Sequence, residues 1–160
     1  MLAAAVLLVA GGPSVPALAA EPGPAPDFAL KALDGRNHRL SEHRGEVVAL
    51  LFWGSWCGAC RNEIERLERL RSTYAAAGLA AYGIVLDEDP AEARSITDAL
   101  GAGYPQLHDR GRAVAKVYRP RALPMLLLVD RGGVVRFAYG ELDARGERAM
   151  LADLRSLLDE

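Results

Sequence analysis

Apolar residues fall into distinct blocks along the chain. Leu2–Ala10 is apolar throughout, no charged side chain precedes Glu21, and Gly11, Gly12, Pro13 and Pro16 end the run. Val47–Trp53 is continuously apolar, with β-branched and aromatic members, which predicts a strand buried on both faces, as in a parallel sheet. A helical stretch follows from about Gly58 to Ala77, closed by Gly78. Leu79–Leu86 reads as a second buried strand. Asp89-Pro90-Ala91-Glu92 carries the marks of a helix start, with Asp as cap, Pro at the first position and Glu three residues after the cap. That helix is expected to run to Leu100 and to stop at Gly101. Ala113–Tyr118 predicts a short helix, and Met125–Val129 and Val134–Tyr139 predict strands joined by a hairpin at Asp130-Arg131-Gly132-Gly133. A last helix spans about Asp143 to Leu158, with Met150, Leu151, Leu154, Leu157 and Leu158 on one side. This order implies an α/β domain whose mixed sheet is covered by helices on both faces. No internal repeat is visible.

A length of 160 residues suits one domain, and 51% hydrophobic with 25% charged residues excludes a wholly disordered chain. The formal charge of −2 gives no electrostatic footprint for nucleic acid. Ala17-Leu18-Ala19 is a small-x-small cleavage signature, so residues 1–19 read as a secretory signal peptide, although the stretch before the apolar run carries no Lys or Arg. As a membrane anchor the run is too short, since a span needs about 20 apolar residues. Residues 20–26 are Pro-rich and read as a flexible or extended linker, and the domain proper is expected over residues 27–160. Export would place the protein in the periplasm or another extracytoplasmic compartment, where disulfides persist.

The only two cysteines stand as Trp56-Cys57-Gly58-Ala59-Cys60, directly after the first buried strand and at the mouth of the following helix. Two thiols separated by two residues across a helix start can close a small disulfide with little backbone movement. The first thiol meets unpaired backbone N–H groups and the positive end of the helix dipole, which stabilise a thiolate, the attacking species in disulfide exchange. Cys57 is therefore the candidate nucleophile and Cys60 the resolving thiol. A structural zinc site would need further ligands, and His38, His43 and His108 have no ligand-like spacing to the cysteines or to each other. An inert structural disulfide more often staples distant segments than adjacent turns.

At 100° per residue, Cys60, Ile64, Leu67, Leu70 and Tyr74 share one arc of the helix, while Arg61, Asn62, Glu65, Arg66, Glu68 and Arg69 fall on the opposite side. Glu63 lands inside the apolar arc. Either it is desolvated, which would raise its pKa and let it exchange a proton with Cys60, or it reaches solvent at the helix edge or pairs with an arginine. Periodicity leaves both readings open.

Phe52-Trp53-Gly54-Ser55-Trp56 followed by Cys57-Gly58-Ala59-Cys60 resembles the active-site segment of thioredoxin-fold proteins. The lead-in Phe28-Ala29-Leu30, Asp34-Gly35, Leu40-Ser41, Gly45 and Val47-Val48 is similar to that of the exported TlpA/ResA-like thiol–disulfide oxidoreductases, and the resemblance runs from about Pro26 to the C-terminus. It implies a thioredoxin-like mixed sheet flanked by helices on both faces. It also implies that Glu63, three residues after the second cysteine, matches a functional glutamate of ResA-like reductases, whereas the buried Asp of thioredoxin itself is replaced by Leu51. Leu123-Pro124 resembles the family's cis-proline loop. Sequence alone favours trans, since only about 5–6% of X–Pro bonds are cis. Met125 stands where the family often has Thr. Trp56 is expected beside the cysteines as a partly exposed aromatic that shapes the substrate groove with Pro124, and Trp53 in the core.

The activity so implied is reduction of protein disulfides by a monomer, without cofactor or metal, in cytochrome c maturation or metal-site assembly. A membrane thiol reductase would supply the electrons, and nucleic acid is not an expected partner. Gly58-Ala59 lacks the histidine found between the cysteines of strongly oxidising relatives, which favours the reducing direction. Two alternatives make other demands. A peroxiredoxin carries Pro seven and Thr three residues before its peroxidatic cysteine, whereas Leu50 and Gly54 precede Cys57, and Trp53 and Cys57 precede Cys60, at those spacings. An exported copper chaperone of this fold uses a wider cysteine spacing with a downstream His, for which His108 would be the candidate.

Overall fold

A computed structural model describes residues 22–160. The apolar leader and its cleavage signature lie outside the described residues.

The centre of the molecule is a mixed sheet in the order β1-β8-β7-β4-β5-β6. Its strands are β1 (Gly23–Pro24), β4 (Val47–Trp53), β5 (Leu79–Val85), β6 (Gln106–His108), β7 (Met125–Val129) and β8 (Val134–Tyr139), and a separate two-stranded ribbon joins β2 (Ala29–Lys31) to β3 (Asn37–Arg39). The helices are α1 (Cys60–Tyr74), α2 (Ala91–Leu100), α3 (Ala113–Tyr118) and α4 (Ala144–Asp159). β4 runs parallel to β5 and antiparallel to β7, which makes it the middle of the sheet. Every residue of β4 is buried. The uninterrupted V-V-A-L-L-F-W run follows from that position, because a strand covered on both faces has no solvent side to mark with polar residues.

Alternate residues of β4 feed two cores. Val47, Ala49, Leu51 and Trp53 pack with Ile64 and Leu67 of α1, Ala93 and Ile96 of α2, and Met150, Leu154 and Leu157 of α4. Val48, Leu50 and Phe52 pack on the other face with Val114, Ala115 and Tyr118 of α3 and with Phe28 and Leu40 of the lead-in. The mixed sheet with helices on both faces is the architecture read from the sequence.

Element ends differ by a few residues from those expected. α1 begins at Cys60 rather than Gly58, and after Tyr74 the backbone tightens to a 3₁₀ turn over Ala75–Ala77 before Gly78, at φ +99°, ends it. The second half of the Pro-rich segment is extended, as one of the two expected forms, but it is not free: Gly23 and Pro24 pair with Val135 and Val134, and Ala25 N–H donates to Gly133 O at 2.9 Å. The sheet therefore takes in residues assigned from the sequence to the linker. β2, β3 and β6 were not expected either. No helix among the described residues is long and apolar enough to cross a membrane.

Candidate active site

β4 ends at Trp53, and the chain turns twice before α1. Cys57 N–H donates to Gly54 O at 3.0 Å, and Cys60 N–H to Cys57 O at 3.2 Å. The first of these turns is pinned from β5, since Ser55 N–H donates at 3.0 Å to Oδ2 of Asp87, a buried carboxylate just beyond the strand's end. The turns bring Cys57 and Cys60 within 5.3 Å, Cα to Cα, and the two are joined as a disulfide. Cys57 is half-buried and Cys60 is 0% exposed. The sulfur that can be reached thus precedes the helix, and its partner lies under it. No side chain caps the N-terminus of α1, whose first N–H groups, on Cys60 and Arg61, donate to the backbone oxygens of Cys57 and Gly58; Cys57 therefore stands at the positive end of the helix dipole.

Trp56 is 56% exposed, and its ring lies over Gly54, where an added Cβ would come within 2.5 Å of it. A side chain at position 54 would have to displace the indole. The outer side of the ring carries the guanidinium of Arg112, with Cζ 5.2 Å from the ring centroid. Trp53, as expected, is in the core, where its indole N–H donates to Oε1 of Gln106 at 3.0 Å. The Leu123–Pro124 bond is cis, the form implied by the resemblance. Pro124 is buried, and Leu123 packs on the same cluster as Cys57 and Cys60.

Glu63 is 2% exposed, so it lies in the apolar arc as the periodicity placed it. Of the alternatives left open, the structure shows the ion pair: Arg66 Nη1 donates to Glu63 Oε1. Arg66 was expected on the solvent side and is instead 9% exposed, because the segment before α4 closes over it. Its Nη2 donates to Leu142 O at 3.2 Å, its Nε lies 3.3 Å from Oε1 of Glu147, and Leu142 N–H reaches Glu63 Oε1 at 3.4 Å. Desolvation opposes the Arg66 charge, but Glu63 and Glu147 outweigh it and hold the guanidinium pKa above its ordinary value. Oε2 of Glu63 is buried without a hydrogen-bond partner. His108, the candidate copper ligand, is engaged by backbone, its Nε2 2.8 Å from Asp87 O.

Sequence reasoning missed Arg66, Arg112 and Asp87. Asp87 had one signal, its place at the carboxyl end of a predicted parallel strand, where α/β folds collect functional groups. The roles of the other two depend on loops distant in sequence.

A dithiol–disulfide pair at a helix entrance, beside a central strand and a cis-proline loop, defines a thioredoxin-fold redox protein. More narrowly, the AhpC/TSA family profile matches residues 23–138, and the chain belongs to that family. Thiol-disulfide oxidoreductase ResA of Geobacillus thermodenitrificans is 34% identical over 112 residues, 70% of this chain and 64% of that protein. ResA of Bacillus thuringiensis is 30% identical over 118 residues, 73% of this chain and 68% of that protein. Among solved structures, a protein of Chlorobium tepidum assigned as thiol:disulfide interchange protein DsbE superposes with a TM-score of 0.81 at 28% identity, covering 86% of this chain and 98% of that one. The match to the Geobacillus relative spans less than two thirds of that protein's length.

Proposed function

We propose that the protein is an exported thiol–disulfide oxidoreductase that reduces disulfides of other proteins, and that it works as a monomer. The observation that carries this is the Cys57–Cys60 disulfide at the start of α1, with one sulfur half-buried and the other fully enclosed. In the reduced protein the Cys57 thiolate attacks one sulfur of a substrate disulfide. A mixed disulfide forms and one substrate thiolate leaves. Cys60 then loses its proton and attacks Cys57 Sγ, which closes the internal disulfide and releases the second substrate thiol. Two electrons and two protons pass to the substrate. A membrane dithiol reductase returns them by the reverse exchange. One chain holds both cysteines, so the cycle needs no second copy.

In this reading Glu63 exchanges the Cys60 proton, and Trp56 and Pro124 shape the groove in which the mixed disulfide lies. Glu63 follows Cys60 by three residues, about one helical turn, and its Oε2 has no hydrogen-bond partner. Residues 1–19 serve as the export signal. The reaction then takes place outside the cytoplasm, on cysteine pairs that must be reduced before haem attachment or metal insertion. Names of the similar relatives support thiol–disulfide exchange. The residues at the peroxidatic spacings offer no support for peroxide chemistry: Leu50 is sealed in the core and Gly54 lies beneath the Trp56 ring.

Cys60→Ser tests the reading. Without the resolving thiol, Cys57 should remain bonded to its partner, so a covalent adduct containing Cys57 should accumulate in the cell envelope and dissolve on reduction. Absence of any adduct, together with no exchange of the wild-type dithiol against a peptide disulfide, would overturn it.

A further inference from the structure

The charge of the chain is unevenly placed. Residues 110–121 hold Arg110, Arg112, Lys116, Arg119 and Arg121 and no acid, although acids outnumber bases 21 to 19 over the whole sequence. All five side chains are exposed, and none is among the ion pairs of the described residues. Acids close in sequence bind backbone N–H groups rather than these cations. Asp109 is buried and accepts from the N–H groups of Val114 and Ala115, Asp87 holds Ser55, and Asp89 accepts from Ala91 N–H. Glu88 and Asp89 are exposed, and neither is in an ion pair with the five cations.

Three further observations fall on the same segment. First, its two ends lead to residues of the candidate site. Arg112 lies on the Trp56 ring next to Cys57, and Arg121 stands three residues before the cis-proline. Second, the two large hydrophobic residues that are exposed among the described residues are Trp56, at 56%, and Val117, at 57%, on the outer side of α3. Third, the two non-glycine residues with positive φ among the described residues are Arg112, at +58°, and Arg119, at +52°. An L-residue with a long side chain is disfavoured in that region, where Gly or Asn would be relaxed. A cation stands at both ends of α3 despite that cost, and outliers of this kind gather at functional sites.

We propose that this strip is the docking surface of the dithiol, and that it selects polypeptide partners whose cysteines stand among Asp and Glu residues. The inference rests on the redox reading above. Trp56 and Val117 supply apolar contact, and the five cations supply orientation and a faster encounter. Unpaired exposed charges of one sign act chiefly on association rate and partner choice, and salt weakens both.

The test uses disulfide-bonded peptides identical except for flanking Asp, Ser or Lys residues. Each is mixed with the reduced protein at low ionic strength. Every rate is divided by the rate for the same peptide with dithiothreitol, which attacks as a thiolate like Cys57 but has no docking surface, and this removes the effect of the flanks on the exchange itself. The normalised rate should be about tenfold higher for the Asp than for the Lys peptide. The ratio should fall towards one as the screening length shortens from about 30 Å at 0.01 M salt to about 3 Å at 1 M. Lys116→Glu with Arg121→Glu, two surface changes, should lower or invert the ratio. A ratio of one in the wild type at low salt overturns the docking proposal and leaves the redox reading standing. So does a ratio that the double reversal does not move. Absence of exchange with every peptide overturns both.

Discussion

Arg66 reaches back one turn along α1 to the carboxylate of Glu63, and the pair is buried one turn further along the helix than Cys60. A third segment completes the arrangement: the Leu142 backbone touches both side chains, and Glu147 of α4 stands beside the guanidinium. The active-site helix is thus tied to the C-terminal helix through two opposite charges withdrawn from water.

Removing one partner of such a pair leaves the other buried and uncompensated. Arg66→Met should destabilise the oxidised protein by about 3–5 kcal/mol. Adding Glu63→Gln should recover part of the loss, because the stranded charge is then gone. Urea unfolding of the wild type, both single variants and the double variant measures the coupling. Additive effects would mean that the two side chains do not stabilise each other.

A buried polar pair crosses the sheet on the same side. Trp53 Nε1 donates to Gln106 Oε1, and the amide lies so close to Gly83 that an added Cβ would stand 1.9 Å from that oxygen. Gly83→Ala must displace Gln106 and break the bond, with backbone on either side unable to yield. The expected loss is about 1–3 kcal/mol, the usual range for an overpacked core. Gln106→Ala in the same background should recover part of it, since the clash would be gone. Denaturant midpoints for the three proteins check this.

The positions that were legible in the sequence are those whose environment is set locally or by full burial. β4 was found residue for residue because its neighbours on both faces and both edges are protein. The β7–β8 hairpin was found because Asp130 to Gly133 carry turn chemistry. β6 was missed because it has three residues, follows Pro105 and contains Gln106 and His108, with no alternation to mark it. Asn37–Arg39 is similar, a polar ribbon strand lying outside the main sheet. In the site, the helical period placed Glu63 correctly but put Arg66 in solvent. That error has one cause: the cover over Arg66 comes from Leu142 and Glu147, more than 70 residues away, and the period of α1 contains no information about it.

Acid should weaken the turn at Asp130. Burial opposes its charge, but N–H groups of Val134 and Gly132 and the Arg136 guanidinium hold its pKa below the ordinary carboxylate value. A depressed folded value means that the group's contribution is fully present above the unfolded value of about 3.9 and is lost as pH falls through the folded value. Asp130→Asn should cost about 1.5–3 kcal/mol at pH 7, the range for hydrogen bonds to a charged group. It should cost less at pH 3, and nothing once Asp130 itself is protonated. A penalty that stays constant from pH 7 to pH 2 would assign the effect to shape rather than charge.

The two charges of the Glu63–Arg66 pair also make opposed predictions for the redox step. A carboxylate near a thiol disfavours its ionisation, and a guanidinium beside that carboxylate offsets part of the effect. Glu63→Gln removes the negative member and keeps the shape. The rate of exchange with a neutral peptide disulfide should then reach half its maximum at lower pH, by on the order of one unit. Arg66→Met unmasks the carboxylate and should move the same profile the other way. Arg66→Lys restores the charge without the forked contact to Leu142 and should bring the profile back towards wild type. Loss of packing alone would lower the rates of all three variants without displacing their profiles in opposite directions. Stopped-flow exchange over pH 5 to 10, on proteins first shown to be folded by near-ultraviolet circular dichroism, separates the two accounts. Superimposable profiles for wild type, Glu63→Gln and Arg66→Met would remove the pair from the mechanism and leave it as the tie between α1 and α4.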